Sequence, residues 1–293
     1  MRIAFLGTGL LGLPMAGRLL EENFELNVYN RTQSKTATLA AAGARIFAEP
    51  ARACADADVI ILMLADRAAI DAVLFTGNPP CPLAGRSVIQ MGTISPEESR
   101  DLSIRVAEAG GHYLEAPVLG SIPQAIHRQL MVLAGGDRSL FDNLLSVLRA
   151  FDPEPRYIGP VGQAAALKLA LNQLIATLTT AFTFSLALVQ KSDVSVDQFM
   201  DIVRQSALYA PTFDKKLEAY LNRSFDNPNF PLKHLLKDTR LMEAAGANAG
   251  LQTEHLQGII HLLEKGMAAG HGDLDYSALY LAMSGSDAAD DKR

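Results

Sequence analysis

In the stretch GQAAALKLALNQL, from Gly162 to Leu174, two polar side chains interrupt an apolar run: Lys168 and Asn172. They stand at i and i+4, so on a helix they share one face. A lysine in such a setting has two readings. It snorkels its ammonium to the surface, or it is held in a cleft for a chemical reason. The helix alone leans slightly to the first. A nicotinamide site nearby reverses the preference, because carbonyl reduction needs a proton donor beside the incoming hydride. An ammonium can polarise the carbonyl and then protonate the alkoxide. Asn172, one turn on, would orient the lysine or a substrate hydroxyl.

Whether such a site exists turns on the N-terminus. GTGLLG places Gly7, Gly9 and Gly12 directly after an apolar run and at the start of an amphipathic helix. This is the context in which a GxGxxG pattern carries weight. Gly7 permits a tight turn, Gly9 lets a pyrophosphate approach the backbone, and Gly12 lets helix and strand pack closely. The helix start, at Leu10 and Leu11, offers N–H groups and a partial positive charge. The plainer alternative is a glycine-rich turn without a ligand. At the end of the second strand, a carboxylate would hold the ribose hydroxyls of NAD and repel a 2′-phosphate. This chain has Asn30, Arg31 and Thr32 there, with Lys35 one helical turn on. A guanidinium grips phosphate through paired hydrogen bonds and stacks on adenine. The expected cofactor is therefore NADP(H), against the alternative of an ordinary surface arginine.

The elements that would position these groups follow from hydrophobic patterning. Strand-like runs at 2–6, 26–29, 59–64, 87–91, 113–115 and 130–134 alternate with helix-like segments, which predicts a doubly wound parallel sheet. From Ala164 to about Met283 nothing reads as strand and helical periods dominate. The predicted fold is an α/β Rossmann domain (1–161), then a long interdomain helix (about 162–191) and an all-α C-terminal domain ending the chain (162–293). GPVG at 159–162 marks the boundary. Ligands in such sheets sit beyond the carboxyl ends of the strands. At those ends, Met63, Leu64 and Ala65 are placed to pack along the cofactor, and Thr93 to hydrogen-bond cofactor or substrate. In LEAPVLGS, Leu119, Gly120 and Ser121 can present backbone N–H groups to an anion, although the loop is as readily structural.

Composition narrows the classes. The 293-residue chain is 49% hydrophobic with a net charge of −6, which argues against nucleic acid as a main partner. Cys54 and Cys81 form no paired motif and the six histidines show no ligand spacing, so no metal site is expected. A reduced, cytoplasmic setting suits this usage. MRIAFLGTGLLGLPMAG superficially resembles a signal peptide, but its glycine spacing favours a buried strand and turn. The run from Ala164 to Gln190 is long enough to span a bilayer, yet Lys168, Asn172 and Gln173 interrupt it. Such residues are expensive in lipid, so a buried helix is expected and no membrane partner. The final GSDAADDKR is expected to be disordered.

Together, GTGLLGLPMAGRL, NRT, LEAPVLGS, the Gly162-to-Asn172 pattern and FPLKHLLKD (Phe230 to Asp238) resemble the β-hydroxyacid dehydrogenase family over nearly the whole chain. NRT, LEAPV and the last element are similar to its NADP-dependent glyoxylate and succinic semialdehyde reductases. The resemblance implies Lys168 as catalytic acid/base assisted by Asn172. It also implies that Thr93, Gly120 and the surrounding loop hold the substrate carboxylate, and that Phe230, Lys237 and Asp238 close the site. Without it, Lys237 and Asp238 read as a solvated charge pair and Phe230 as core. Assembly as a homodimer or homotetramer through the helical domain is also expected, since its apolar positions would otherwise face water.

Two departures stand out. The family's APVSG is here APVLG, putting Leu119 where a serine hydroxyl would bond the carboxylate, and Gly92 stands where serine usually precedes Thr93. A lost hydrogen bond to a charged group costs about 1.5–3 kcal/mol. The expectation is a reductase of small aldehyde- or keto-acids that handles glyoxylate poorly and prefers a longer or less polar carbonyl. Two alternatives stand beside it: an imine reductase-like enzyme, which Lys168 counts against, and a non-catalytic NADP-binding oligomer, which Leu119 favours.

Overall fold

A computed structural model describes residues 1–285, so the expected disorder of the tail falls, beyond Gly285, outside the described residues. The chain divides into two compact units, Met1–Leu169 and Ala170–Arg293.

The first unit alternates strand and helix. Its opening half contains β1 (Arg2–Leu6), α1 (Gly12–Glu21), β2 (Glu25–Tyr29), α2 (Ala37–Ala41), β3 (Arg45–Phe47), α3 (Pro50–Cys54), β4 (Val59–Leu62) and α4 (Arg67–Leu74). β5 (Ser87–Gln90), α5 (Pro96–Glu108), β6 (His112–Glu115), β7 (Val118–Leu119) and α6 (Ile122–Ile126) follow. β8 (Met131–Gly136), α7 (Arg138–Leu148), β9 (Arg156–Gly159) and the start of α8 (Gln163–Lys191) complete it. The strands lie in the order β3-β2-β1-β4-β5-β6-β8-β7, with β9 also on β8. β3 through β6 pair in parallel, whereas β8 runs antiparallel to β6 and β7. The sheet is therefore mixed at one side. β3, β7 and β9 are short, two to four residues each, and escape a periodicity reading.

Alternation of side chains sets the core. Ile3 and Phe5 of β1 face one cluster with Met15, Leu19 and Phe141, while Ala4 and Leu6 face another with Ile70, Leu74 and Leu102. In β4, VIIL is buried at every position, as a strand with helices on both faces requires. Helix starts are locally encoded too. Ser95 caps α5 reciprocally with Glu98, and Asp66 and Asp137 cap α4 and α7.

The second unit is helical throughout its described residues. The remainder of α8 is followed by α9 (Val196–Gln205), α10 (Pro211–Leu221), α11 (Leu232–Asn248), α12 (Glu254–Ala268) and α13 (Leu279–Ser284). Its interior is aromatic: Phe182 stacks on Phe213 with centroids 4.4 Å apart and meets Tyr220 at 5.7 Å. Lys216 and Asp275 form a buried ion pair at 2.7 Å, and Asp275 also accepts from the N–H groups of Ser277 and Asn229. Through the Asn229 N–H that carboxylate pins the segment entering α11, and the backbone of Asp275 forms an antiparallel bridge with Pro231. α8 is long and apolar enough to cross a membrane by length and composition. Its buried positions nevertheless include Lys168, Asn172, Thr179 and Thr183.

Candidate active site

In the glycine loop, Gly7 has φ +106°, and a Cβ there would collide with the Met63 carbonyl oxygen. A Cβ on Gly12 would collide with the Gly7 carbonyl. Gly9 differs: nothing lies within 4 Å of where its Cβ would be. Two glycines thus permit the turn and its close packing, and the third leaves open space beside the backbone. α1 begins at Leu11 and Gly12 with no side-chain cap and no acid in its first turn, so its positive end is left for an anion. Leu10 is exposed and Leu11 half-buried. The Thr8 hydroxyl, which the sequence reading passed over, is buried without a hydrogen-bond partner among the described residues.

Asn30 holds this loop in place. Its Oδ1 accepts from Thr8 N–H at 3.0 Å and its Nδ2 donates to the Thr32 carbonyl at 2.8 Å. Its side chain therefore serves the protein's own turns, while Arg31, Thr32 and Lys35 stand exposed beyond β2. An open cradle at Gly9, an uncapped helix start, an orphaned hydroxyl and two exposed cations fit a phosphorylated dinucleotide.

Beyond β4, Met63 and Leu64 are half-buried and Ala65 is exposed. Beyond β5, Gln90 clasps residue 92: Gly92 N–H donates to Gln90 Oε1 at 2.6 Å, and Gln90 Nε2 donates to the Gly92 carbonyl at 3.1 Å. A Cβ at 92 would sit 2.6 Å from the Leu64 carbonyl oxygen. Glycine here is thus a packing requirement, and the sequence comparison with serine misses it. Thr93 follows, half-buried.

The loop beyond β6 uses its polar groups internally. Leu119 belongs to β7 and pairs with Met131. Gly120 has φ +137°, with Leu130 Cδ2 2.7 Å from where a Cβ would be. The Ser121 N–H donates to Gln124 Oε1 at 3.0 Å, and its hydroxyl does so at 2.7 Å. The expectation that Ser121 offers its N–H to an anion is corrected: the N–H faces Gln124, because residue 121 starts α6 and Gln124 completes that start.

Lys168 is only 8% exposed, so it does not snorkel. In the second unit, Asn172 Nδ2 donates to Asp238 Oδ2 at 2.7 Å, with both residues buried. Lys237 Nζ lies 2.8 Å from Asp238 Oδ1 as an ion pair. Reading Lys237 and Asp238 as a solvated pair is therefore corrected, since Asp238 is 2% exposed. The side-chain Oδ1 of Asn172 is buried with no hydrogen-bond partner among the described residues. Phe230 is half-buried rather than core, packing at 5.9 Å from Tyr276 and 6.3 Å from His234. Burial, then the positive charges of Lys237 and Lys233, hold the His234 imidazole below its ordinary pKa.

Comparison with known proteins now gives the class. Residues 2–159 match the NAD-binding domain of 6-phosphogluconate dehydrogenase, and 162–283 match the NAD-binding model of NADP-dependent 3-hydroxyisobutyrate dehydrogenase. The chain is 34% identical to glyoxylate/succinic semialdehyde reductase 1 of Arabidopsis thaliana, over 97% of this chain and 98% of that protein. The chain belongs to the β-hydroxyacid dehydrogenase family. It is an NADP-dependent oxidoreductase of that type. A 3-hydroxyisobutyrate dehydrogenase of Mycobacterium tuberculosis, solved with L-serine, superposes with TM-score 0.84 at 25% identity, covering 97% of this chain and 99% of that one. An imine reductase of Streptomyces aurantiacus shares the fold, with TM-score 0.65 at 23% identity over 97% and 99% of the two chains.

Proposed function

We propose that this protein reduces a small aldehyde- or keto-acid of the succinic semialdehyde type, with Lys168 as the proton donor. The observation that carries the reading is the burial of Lys168, in the same compact unit as the glycine loop. An ammonium held out of water needs a chemical reason. The residues that would hold NADP(H) are the 7–12 loop, Arg31, Thr32 and Lys35, with Met63, Leu64 and Ala65 alongside, and Lys237 from the helical unit. When bound, the reduced cofactor supplies the hydride. Lys168 donates a hydrogen bond to the carbonyl oxygen and passes it a proton as that oxygen becomes alkoxide. Asn172, oriented by Asp238, accepts through its side-chain Oδ1 from the lysine ammonium or from the hydroxyl that the reduction creates. Thr93 and the backbone at Gly120 hold the carboxylate, and Phe230 shields the site from water. Leu119 supplies no hydroxyl, so the acid tail meets an apolar side chain, which suits a longer substrate better than glyoxylate.

The test is NADPH consumption with succinic semialdehyde, glyoxylate, other keto acids and cyclic imines, in wild type and Lys168→Ala. The expected result is turnover of succinic semialdehyde above glyoxylate and a loss of about 10²–10⁴-fold in kcat in the variant, the range general acids supply. Undiminished turnover without Lys168 would sink the mechanism. Turnover confined to imines, or tight NADPH binding with no turnover at all, would replace the substrate class. Assembly through the helical unit is part of the same proposal. It is supported by exposed Phe184, Leu188, Ile202 and Leu208, and light scattering of the purified protein checks it.

A further inference from the structure

One buried carboxylate outside the groups assigned so far touches three of the segments that carry them. Glu115 ends β6, just before the substrate loop, and is 1% exposed. Its Oε1 accepts from the backbone N–H groups of Gly162 and Ala164 at 2.8 Å and of Ala165 at 3.3 Å, the donors that open α8. Its Oε2 accepts from the hydroxyl of Ser99, on the first turns of α5 that follow the Thr93 segment. Across the ladder stands Gly135, where a Cβ would lie 2.5 Å from Oε1, so the glycine makes room for the carboxylate. A buried charge is tolerable only when its oxygens are satisfied, and here four donors and a helix N-terminus satisfy them. Packing alone does not call for such a group, because an apolar side chain fills the same volume without desolvating a charge. Lys168 lies one helical turn beyond Ala164.

We propose that Glu115 is a positioning residue for the reduction: it locks the first turn of α8, and with it the Lys168 amine, in register with the loop that leaves Glu115 itself. The inference rests on the reading of Lys168 as proton donor. A donor displaced by about 1 Å loses about a hundredfold in rate, so the carboxylate acts on turnover while touching neither substrate nor cofactor.

The experiment compares Glu115→Ala, Glu115→Gln and Glu115→Asp with wild type, measuring kcat for succinic semialdehyde, the Kd for NADPH and amide hydrogen exchange. Glu115→Ala is expected to lower kcat by about 30- to 100-fold, keep the NADPH Kd within about twofold, and speed exchange in 162–168 but not in 2–12. Glu115→Gln retains the accepting oxygen and is expected to recover to within about fivefold of wild type. Glu115→Asp retracts the carboxylate by one methylene and is expected to fall between the two. A kcat in Glu115→Ala within twofold of wild type would overturn the proposal. So would a weaker NADPH Kd with faster exchange throughout the first unit, which marks a general structural role. If the alanine variant does not fold, the other two decide: wild-type kcat in both overturns it, and a greater loss in Asp than in Gln supports it. Full turnover in Lys168→Ala would instead bring down the mechanism on which the inference rests. An inactive Lys168→Ala beside a fully active Glu115→Ala brings down the inference alone.

Discussion

Two loops leave the carboxyl ends of strands in the same sheet and treat their backbone in opposite ways. The loop after β1 keeps its groups available: Gly9 opens on empty space, and α1 starts without a cap. The loop after β6 ties its groups up, with Leu119 in a ladder, Gly120 against Leu130, and Ser121 on Gln124. The difference teaches where specificity comes from in each. A cofactor met through main-chain N–H groups needs only glycine spacing and a helix start. On the proposed reading, the substrate meets a loop whose polar groups are largely taken, and the side chain of Leu119 then sets the selection.

The sharpest attack on the first loop is Gly9→Val. Nothing in the protein lies near the new side chain, so the melting temperature is expected to hold, while NADPH affinity falls by at least about a hundredfold as the cradle fills. Calorimetric titration checks this, and unchanged affinity would show the open space to be irrelevant. Arg31→Ala is expected to weaken NADPH about 10- to 100-fold, in line with losing charge-assisted bonds to phosphate. NADH affinity should stay within about twofold, so the ratio of the two dissociation constants is the measurement. On the second loop, Leu119→Ser restores a hydroxyl and is expected to raise kcat/KM for glyoxylate about tenfold. Gly92→Ser sharpens the contrast, because residue 92 has no room. It is expected to destabilise the fold by about 1–3 kcal/mol, read by denaturant titration, with no gain on glyoxylate. The smallest effect concerns His234. Its folded-state pKa is depressed, so the unfolded chain binds the proton more readily. The resulting stability is present above the ordinary histidine pKa and is lost as pH falls through the folded value. His234→Gln should therefore flatten the decline of stability on the acid side of neutrality, seen in melting temperatures across that range.

Much of this molecule was legible in its residues. Apolar runs and glycine spacing carried the doubly wound half, since a strand buried on both faces and a φ-demanding turn leave direct marks at Ile3–Leu6 and at Gly7. The helical half was legible as helix from Ala164 onward. Less visible were groups whose meaning depends on a distant partner. Asp238 sits beside Lys237 in sequence and so looked solvated, but its burial and its bond to Asn172 arise 66 positions away. Glu115 closes a strand and carries no local mark of its role, because three of its four donors lie 47 to 50 residues on. Gly92 looked like a missing hydroxyl until the Leu64 carbonyl was found where its side chain would go.

The vacancy at Gly135 bears on redesign. A library that diversifies the scaffold toward new carbonyls can vary position 119 freely, since that side chain is half-buried. Position 135 tolerates no side chain while Glu115 keeps its carboxylate, so the two are inherited as a unit. Grafting a foreign segment that runs through β8 and carries a bulkier residue there would displace the carboxylate and unlatch the start of α8, and an inactive chimera would then say nothing about the segment's own fit to the new substrate.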